Sequence, residues 1–389
     1  LVGTSSTGTL NAADGNTGVG TGVLGALTTG DNNVAVGFNS LDLNTTGSSN
    51  TSIGKDSLKS NTTGVGNTSV GMGTLYSNTT ASYNTAIGSL ALDTNTTGAS
   101  NTAVGYDALT ANSSGSNNTA VGGNALDANT TGLNNTTVGY DSLTSNTTGA
   151  SNVAMGNQAM FDNTTGNNNV GVGCDALANN TTASNNTAVG CGALHKNTTG
   201  STNTAAGQRA SACNTTGDSH SAFGFEALKT NTTGGNNTAV GYRSLYTNST
   251  GSDNTANGYQ SLYNNTTAAS NTSIGYGAML ANTTGADNVA VGRQALTSNT
   301  TAANNTAVGM SALILNTTGT GNTAIGNASM YYNVGGGNNT AVGMDSLNKN
   351  TTGSHNTAMG KNALDASTTG NNHTAFGQEA LAKVTTGSN

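Results

Sequence analysis

The feature that most constrains this chain is a 17-residue period without insertion or deletion. Counted from the glycine of each repeat, which we number position 0, 22 glycines from Gly20 to Gly377 lie 17 residues apart, and Gly3 extends the register backwards. A fixed period means that each repeat covers the same path and stacks on its neighbour. A helix pair needs roughly 30 residues or more, so a helical repeat is excluded.

The residues before each glycine predict one strand per repeat. Thr102 to Val104, for example, form a short β-type run bounded by asparagine and glycine. Copies stacked about 4.8 Å apart would bury a narrow core that no single repeat can bury alone. We therefore predict an all-β fold, a parallel β-solenoid of about 22–23 coils with 17 residues per coil. It would form one continuous domain over residues 1–389, with a degenerate first turn at 1–19 and regular repeats at 20–389, and be a segment of a longer fibre.

Four positions of the repeat are expected to fill the core. Val, Ile, Met or Phe at −1 and Leu or Met at +4 would supply volume, while small residues at −2 and +3 would let the walls approach closely. The repeat glycine is expected at a corner that needs positive φ or close backbone contact. The repeat of Gly207 has Ala206 at −1 and Ser211 at +4, so we predict a local weak point there.

Composition excludes several classes of function. Only 7% of the residues are charged, the formal net charge is −7, and proline is absent. No basic stripe is present to neutralise phosphates, so we expect no nucleic-acid binding. No apolar run approaches the roughly 20 residues that span a bilayer, so we expect no membrane insertion. The chain does not begin with Met, which favours a processed or excised segment.

One stretch of the repeat resembles a known family. The run Thr102 to Ala108, Thr-Ala-Val-Gly-x-x-Ala, is similar to the repeat in heads of trimeric autotransporter adhesins (YadA-like), and related runs occur in phage tail-fibre and other surface-fibre proteins. The resemblance extends through essentially the whole chain. It implies a left-handed parallel β-roll, three of which pack side by side, in a protein of the cell surface or of a virion fibre.

The asparagine at +7 has two interpretations. It recurs in 19 consecutive repeats from Asn44 to Asn350, and in all but one it opens an Asn-x-Ser/Thr acceptor. One interpretation is a glycan on every turn. The other is a ladder of amides bonded from coil to coil, which the apolar residues Leu10, Leu27 and Val384 at the same position favour because they indicate an inward side chain. The residues concerned include Asn44, Asn61, Asn78, Asn95, Asn112, Asn129 and Asn146.

The period also predicts columns of side chains on the surface. Tyr242, Tyr259 and Tyr276 occupy +1 in consecutive repeats and should stack, as should Tyr246 and Tyr263 at +5. Such a stripe could bind carbohydrate or a partner fibre, but a structural stack is the preferred interpretation.

Two of the three cysteines share a column. Cys174 and Cys191 both occupy +1, so their Cα atoms should lie about 4.8 Å apart, within the range of a disulfide. Parallel side chains do not suit the torsion of that bond, so a disulfide and two free thiols both stay open. Cys213 at +6 has no partner in register.

No arrangement of residues indicates an active site. The four histidines are scattered, which leaves a metal site without ligands. Acids such as Asp107, Asp141 and Asp175 occupy +2 in alternate repeats, as solvated charge. A two-column threonine face, of the kind that ice-binding solenoids present, is not evident. We expect no catalytic residue, no cofactor and no metal.

Together these features favour a structural extracellular fibre or adhesin-type rod, at the cell surface or on a virion, and not an enzyme. Its expected partners are further copies of itself, head to tail in a filament or side by side in a homotrimer, because exposed strand edges pair readily. Glycans are the other partners considered. The alternative function is an ice- or glycan-binding β-solenoid surface protein.

Overall fold

The structure, a computed structural model, describes residues 13–387. These residues fall into two compact units that divide between Thr199 and Gly200. Each unit is an all-β parallel solenoid with 17 residues per coil, and none of the described residues lies in a helix. The predicted fold class is confirmed. A single continuous domain and the handedness of the coil stay predictions, and Gly3 and Leu10 lie outside the described residues.

Each coil contributes one three-residue strand, at positions −3 to −1. The first unit contains β1 (Thr17–Val19), β2 (Val34–Val36), β3 (Thr51–Ile53), β4 (Thr68–Val70), β5 (Thr85–Ile87), β6 (Thr102–Val104), β7 (Thr119–Val121), β8 (Thr136–Val138), β9 (Val153–Met155), β10 (Val170–Val172) and β11 (Thr187–Val189). The second unit contains β12 (Thr204–Ala206), β13 (Ser221–Phe223), β14 (Thr238–Val240), β15 (Thr255–Asn257), β16 (Thr272–Ile274), β17 (Val289–Val291), β18 (Thr306–Val308), β19 (Thr323–Ile325), β20 (Thr340–Val342), β21 (Thr357–Met359) and β22 (Thr374–Phe376).

Within each unit, successive strands pair in parallel with a shift of one repeat. Ala103 of β6 lies beside Ala120 of β7, and Ala239 of β14 lies beside Ala256 of β15. Every side chain therefore has its counterpart from the next coil as its nearest neighbour in the sheet. This register turns a sequence column into a physical column.

The repeat glycine lies at a corner, as expected, and both expected reasons apply to it. Gly105 has φ +144°, a conformation that L side chains rarely adopt. A Cβ atom on Gly105 would also overlap the carbonyl oxygen of Gly122 in the next coil. The corner thus requires glycine, both because φ is positive and because successive coils approach closely.

Three other positions of the coil also have left-handed backbone conformations. In one coil Asp107 at +2 has φ 53° and Leu109 at +4 has φ 55°, and Asn117 at −5 of the following repeat has φ 59°. Leucine is uncommon in this region, which costs a non-glycine residue roughly 1–3 kcal/mol. Leu109 is fully buried, and burial of a leucine contributes about 1.5–3 kcal/mol, enough to offset that cost. The repeat pattern gave no indication of this conformation.

The core differs from the prediction at one position. Ala103 at −2, Ala108 at +3 and Leu109 at +4 are buried as expected, but the residue at −1 points outward. Val138, for example, is 38% exposed and Ile87 is 40% exposed. Side chains alternate along a strand, so an inward −2 side chain forces −3 and −1 outward. The assignment of −1 to the core was therefore wrong.

The outward direction of the −1 side chain also bears on the weak point predicted at the Gly207 repeat. Ala206 at −1 lies on the outer face, so its small size removes nothing from the core. Ser211 at +4 is fully buried where other coils have Leu or Met, and its Oγ has no hydrogen-bond partner. Any weakness of this coil therefore comes from Ser211.

Candidate functional site

The +7 asparagines form a buried ladder. Asn112 Nδ2 donates to Asn95 Oδ1 at 2.8 Å and to the Gly115 carbonyl at 3.0 Å, and Asn112 Oδ1 accepts from Asn129 Nδ2 at 2.9 Å. The same side chain-to-side chain bond recurs between successive +7 residues in both units. All seven asparagines named above are fully buried, namely Asn44, Asn61, Asn78, Asn95, Asn112, Asn129 and Asn146. Each of these amides from Asn61 onward thus bonds to the coil before it and the coil after it, and Asn44, which follows Leu27 at +7, begins the ladder.

A second ladder runs through the asparagines at −4. The backbone N–H of Asn118 donates to Asn101 Oδ1 at 2.9 Å, and Asn118 Nδ2 donates to the Gly132 carbonyl at 2.8 Å. That carbonyl also accepts from Asn129 Nδ2, at 3.2 Å. The two ladders therefore meet at this +10 carbonyl, and they meet again at Gly251 in the second unit. We did not predict the second ladder, although asparagine at −4 in nearly every repeat was a signal for it.

The buried amides bear on the glycan interpretation. A glycan would have to be attached to the Nδ2 atom that donates within the ladder, as Asn61 Nδ2 does to Asn44 Oδ1 at 2.8 Å. Both side chains have no exposed surface. A folded coil does not present this atom to solvent, and a glycan there would displace the ladder. The structure therefore favours the amide ladder over a glycan on every turn.

The +7 ladder ends at Asn350 in the second unit. Position +7 of the next coil holds Ser367, whose shorter side chain does not reach the amide. Asn350 Oδ1 and Ser367 Oγ are both buried without a hydrogen-bond partner. Two unsatisfied polar atoms thus mark the end of the ladder.

His220 replaces asparagine at −4, and its ring takes over both roles of the amide. Its Nδ1 accepts the backbone N–H of Asn237 at 3.3 Å, and its Nε2 lies 3.0 Å from Asn231 Nδ2 of the +7 ladder and beside the Gly234 carbonyl. Burial lowers the pKa of His220 from 6.5 to about 4, against the weaker opposing effect of Asp218. A second proton on Nδ1 would face the N–H of Asn237, so this coil tolerates only the neutral ring.

The predicted aromatic stack is present, and it is longer than expected. Ring centroids of Tyr242 and Tyr259 are 5.1 Å apart and those of Tyr259 and Tyr276 are 5.2 Å apart, and Phe225 extends the stack at 5.4 Å from Tyr242. Tyr246 and Tyr263 stack separately at 5.0 Å. We call the four +1 rings, Phe225, Tyr242, Tyr259 and Tyr276, the +1 stack. Because each ring face covers its neighbour, the stack presents ring edges to solvent.

A buried carboxylate lies beside the +1 stack. Glu226 at +2 has a side chain only 4% exposed, and it accepts from Lys229 Nζ at 2.6 Å and from Arg243 Nε at 2.8 Å, with Arg209 at 3.9 Å. Burial alone would raise the pKa of Glu226, but the bonds from Lys229 and Arg243 outweigh it and hold the pKa below the ordinary value. The guanidinium of Arg243 also lies 5.2 Å from the Tyr242 ring centroid. The repeat pattern gave no indication of this ion-pair cluster, because its charged residues do not recur from coil to coil.

The cysteines are free thiols in the structure. Cys174 and Cys191 are exposed, and Cys213 is partly buried. Cys174 Sγ lies 3.4 Å from Asp175 Oδ2, and hydrogen bonding to that carboxylate raises the pKa of the Cys174 thiol. Cys174 and Cys191 are therefore two free thiols in the structure and not a disulfide.

Acidic side chains of the first unit crowd around Asp107. Burial and the neighbouring Asp107 carboxylate raise the pKa of both Asp93 and Asp127, and a hydrogen bond with Asp107 raises the pKa of Tyr106. Within residues 13–387, no group of three or more His, Cys, Asp or Glu side chains could hold a metal ion. These carboxylates are half-buried, and Asp107 Oδ1 is buried without a hydrogen-bond partner.

The outward face of the strands is uncharged and combines hydroxyl and apolar side chains. Threonine or valine occupies −3 in all but one strand, and Val, Ile, Met or Phe occupies −1 in most. The exposed −1 residues range from Met359 at 36% to Phe376 at 65%. We call these two columns the −3/−1 face. No helix in the described part of the chain is long and apolar enough to cross a membrane.

Comparison with known proteins adds no relative to this description. No family model matches the sequence, and no curated protein matches it.

Proposed function

We propose that this chain is a structural β-solenoid, an extracellular fibre or adhesin-type rod without catalytic activity, akin to YadA-like adhesin heads and tail-fibre proteins. The observation that carries the proposal is the pair of asparagine ladders that meet at the Gly132 carbonyl and its counterparts. The buried asparagines that recur through both units are used to hold one coil to the next. A chain whose recurring residues serve stacking is suited to spanning distance and presenting a surface.

The proposed partners are further copies of the chain, head to tail in a filament or side by side, as the three-fold packing of the resembled heads implies. The −3/−1 face supports side-by-side association because it is uncharged and its −1 column exposes apolar side chains. Ile325, for instance, is 40% exposed and Ile87 is 40% exposed. Contiguous exposed apolar surface of this kind commonly marks an interaction site.

Electron microscopy with an outward-face variant tests the proposal. Asn257 already occupies −1, so Ile87→Asn with Ile325→Asn should fold and should reduce lateral association. Leu133→Asn removes a comparably exposed apolar side chain, 42% exposed, from outside the face and is the control. Rods or filaments are expected from the wild type. Separate compact particles at every concentration would contradict the structural role.

A second candidate function follows from the same face. Threonine at −3 and valine at −1 point to the same side, as in Thr102 and Val104 of β6, and the column repeats in parallel strands. A regular array of hydroxyl and methyl groups favours a surface that binds ice or glycans over a surface with no binding role. Thermal hysteresis of the purified protein would support ice binding. Freezing without thermal hysteresis would exclude ice binding and leave glycan binding.

A further inference from the structure

The second unit carries an exposed surface in which stacked rings and cations adjoin. We define the aromatic–basic patch as the +1 stack together with Arg209, Lys229, Arg243 and Arg293. Its rings are 37–55% exposed, from Phe225 to Tyr276. Its only carboxylate is Glu226, which is buried beneath the cations. The patch thus has a net positive charge in a chain whose formal net charge is −7.

Two of the four cations are available to a partner. Lys229 and Arg243 both donate short hydrogen bonds to Glu226, so they are not free to bind a partner. The Arg209 side chain is 59% exposed and lies 3.9 Å from Glu226. Arg293 is exposed and forms no ion pair within residues 13–387. Arginine and tyrosine are also the residue types that most often dominate the energetics of protein interfaces.

The first unit has the opposite charge at +2 and +5 in the coils from Asp93 to Asp175. We define the acidic edge as Asp93, Asp107, Asp127, Asp141 and Asp175, at +2 and +5. Residues 60–195 contain no lysine or arginine, so no Lys or Arg of this segment can pair with these carboxylates. Burial, together with repulsion from the Asp107 carboxylate, raises the pKa of Asp93 and Asp127. An incoming cationic surface would relieve that repulsion.

The spacing of the two surfaces also matches. Arg209 and Arg243 occupy +2 two coils apart, and Asp107 and Asp141 occupy +2 two coils apart. Two coils correspond to about 9.6 Å in each case. A partner with the same coil pitch can therefore place carboxylates opposite guanidinium groups at more than one point. A second copy of this chain has that pitch.

We propose that the aromatic–basic patch is a docking surface for the acidic edge of a second copy of this chain. The inference rests on the self-association in the proposed function and adds a specific contact to it. Charge complementarity steers such encounters and rejects like-charged surfaces. The contact therefore joins the second unit of one copy to the first unit of another.

Neutralising the two available cations is the first test. Gln260 occupies +2 and Gln208 occupies +1, so Arg209→Gln with Arg293→Gln uses residues that these positions already accept, and it leaves Lys229 and Arg243 with Glu226. Lys361→Gln with Lys383→Gln makes the same charge change outside the patch. Sedimentation velocity should show wild-type association at about 0.02 M salt that is lost near about 0.5 M. The patch variant should associate at least about tenfold more weakly, and the control should match the wild type.

Complementation between two variants is the sharper test. One protein carries Arg293→Glu with Gln260→Glu, which leaves its acidic edge intact. The other carries Asp107→Arg with Asp141→Arg, which leaves its patch intact. Each should fail to self-associate, and an equimolar mixture should recover association because one intact edge meets one intact patch. Thermal unfolding of each protein checks that it is folded.

Several outcomes would overturn the contact. A wild type that stays monomeric at low salt would do so, as would a mixture that fails to associate. Binding of a sulfated oligosaccharide without self-association would assign the patch to an acidic polysaccharide instead. Filaments that persist unchanged in both folded variants would overturn this contact and leave the proposed function standing, whereas the absence of any assembly from the wild type would contradict both.

Discussion

His220 Nδ1 accepts the backbone N–H of Asn237 at 3.3 Å, where every neighbouring coil uses an asparagine oxygen. The bond requires an unprotonated Nδ1, and burial lowers the pKa of His220 to about 4. In the unfolded chain the ordinary value of about 6.5 applies. The unfolded state therefore binds the proton first as the pH falls, which makes the ladder acid-sensitive at this coil.

We predict that His220 makes the free energy of unfolding depend on pH between about 6.5 and about 4. Its contribution is fully present above pH 6.5 and is lost as the pH falls towards 4, by about 3 kcal/mol in total. His220→Asn should restore the ordinary ladder and remove this part of the dependence. Urea unfolding of both proteins at several pH values measures the difference. His355→Asn, at an exposed −5 position that asparagine also occupies in Asn117, is the control, and parallel pH profiles for wild type and His220→Asn would contradict the prediction.

The +7 ladder should tolerate no charge. Asn112→Asp replaces the Nδ2 donor by an oxygen that would face Asn95 Oδ1 and the Gly115 carbonyl. We expect a loss of about 3–5 kcal/mol in the free energy of unfolding, because a buried charge would lack a partner. Asn117→Asp is the matched control, since Asp253 and Asp287 occupy the same −5 position, and it should change stability by no more than about 0.5 kcal/mol. Equal effects of the two substitutions on chemical denaturation would show that the ladder contributes nothing.

Ser211 offers a stabilising substitution. Ser211→Leu places the usual side chain at +4, and the backbone already has the required conformation, with φ 49° at Ser211 and 52° at Leu245. The change buries apolar surface and removes an unpartnered hydroxyl, so we expect a gain of about 2–4 kcal/mol. The reverse substitution Leu245→Ser should cost about 2–5 kcal/mol. Differential scanning calorimetry measures both, and a lower melting temperature for Ser211→Leu would mean that the coil has closed over the site.

Extending the +7 ladder should also stabilise the protein. Ser367→Asn would give the buried Asn350 Oδ1 a donor and would remove the unpartnered Ser367 Oγ. We expect a gain of about 1–3 kcal/mol in the free energy of unfolding. Ser367→Ala removes only the hydroxyl, so its gain should be the smaller of the two. If the alanine variant proved as stable as the asparagine variant in guanidinium unfolding, the Asn350 oxygen would not be the source of the gain.

The sequence alone determined which residues are neighbours. With 17 residues in every repeat, Tyr242 had to lie against Tyr259, and Asn112 against Asn129, whatever the shape of the coil. The parallel solenoid, the +1 stack and the +7 ladder could all be predicted because a constant period sets the register without reference to the path between repeats.

The tertiary structure decided which way the side chains point. The −1 side chain points outward, as at Ile87, because the corners of the coil determine which residue of the short strand first points inward. The backbone of the +4 leucine adopts a left-handed conformation, as at Leu109. The convergence of two ladders on the Gly132 carbonyl has the same origin, since it depends on how the turn brings −4 and +7 of different coils together. Periodicity records the distance between coils, but the inward or outward direction of a side chain depends on backbone torsions that a repeat pattern does not contain.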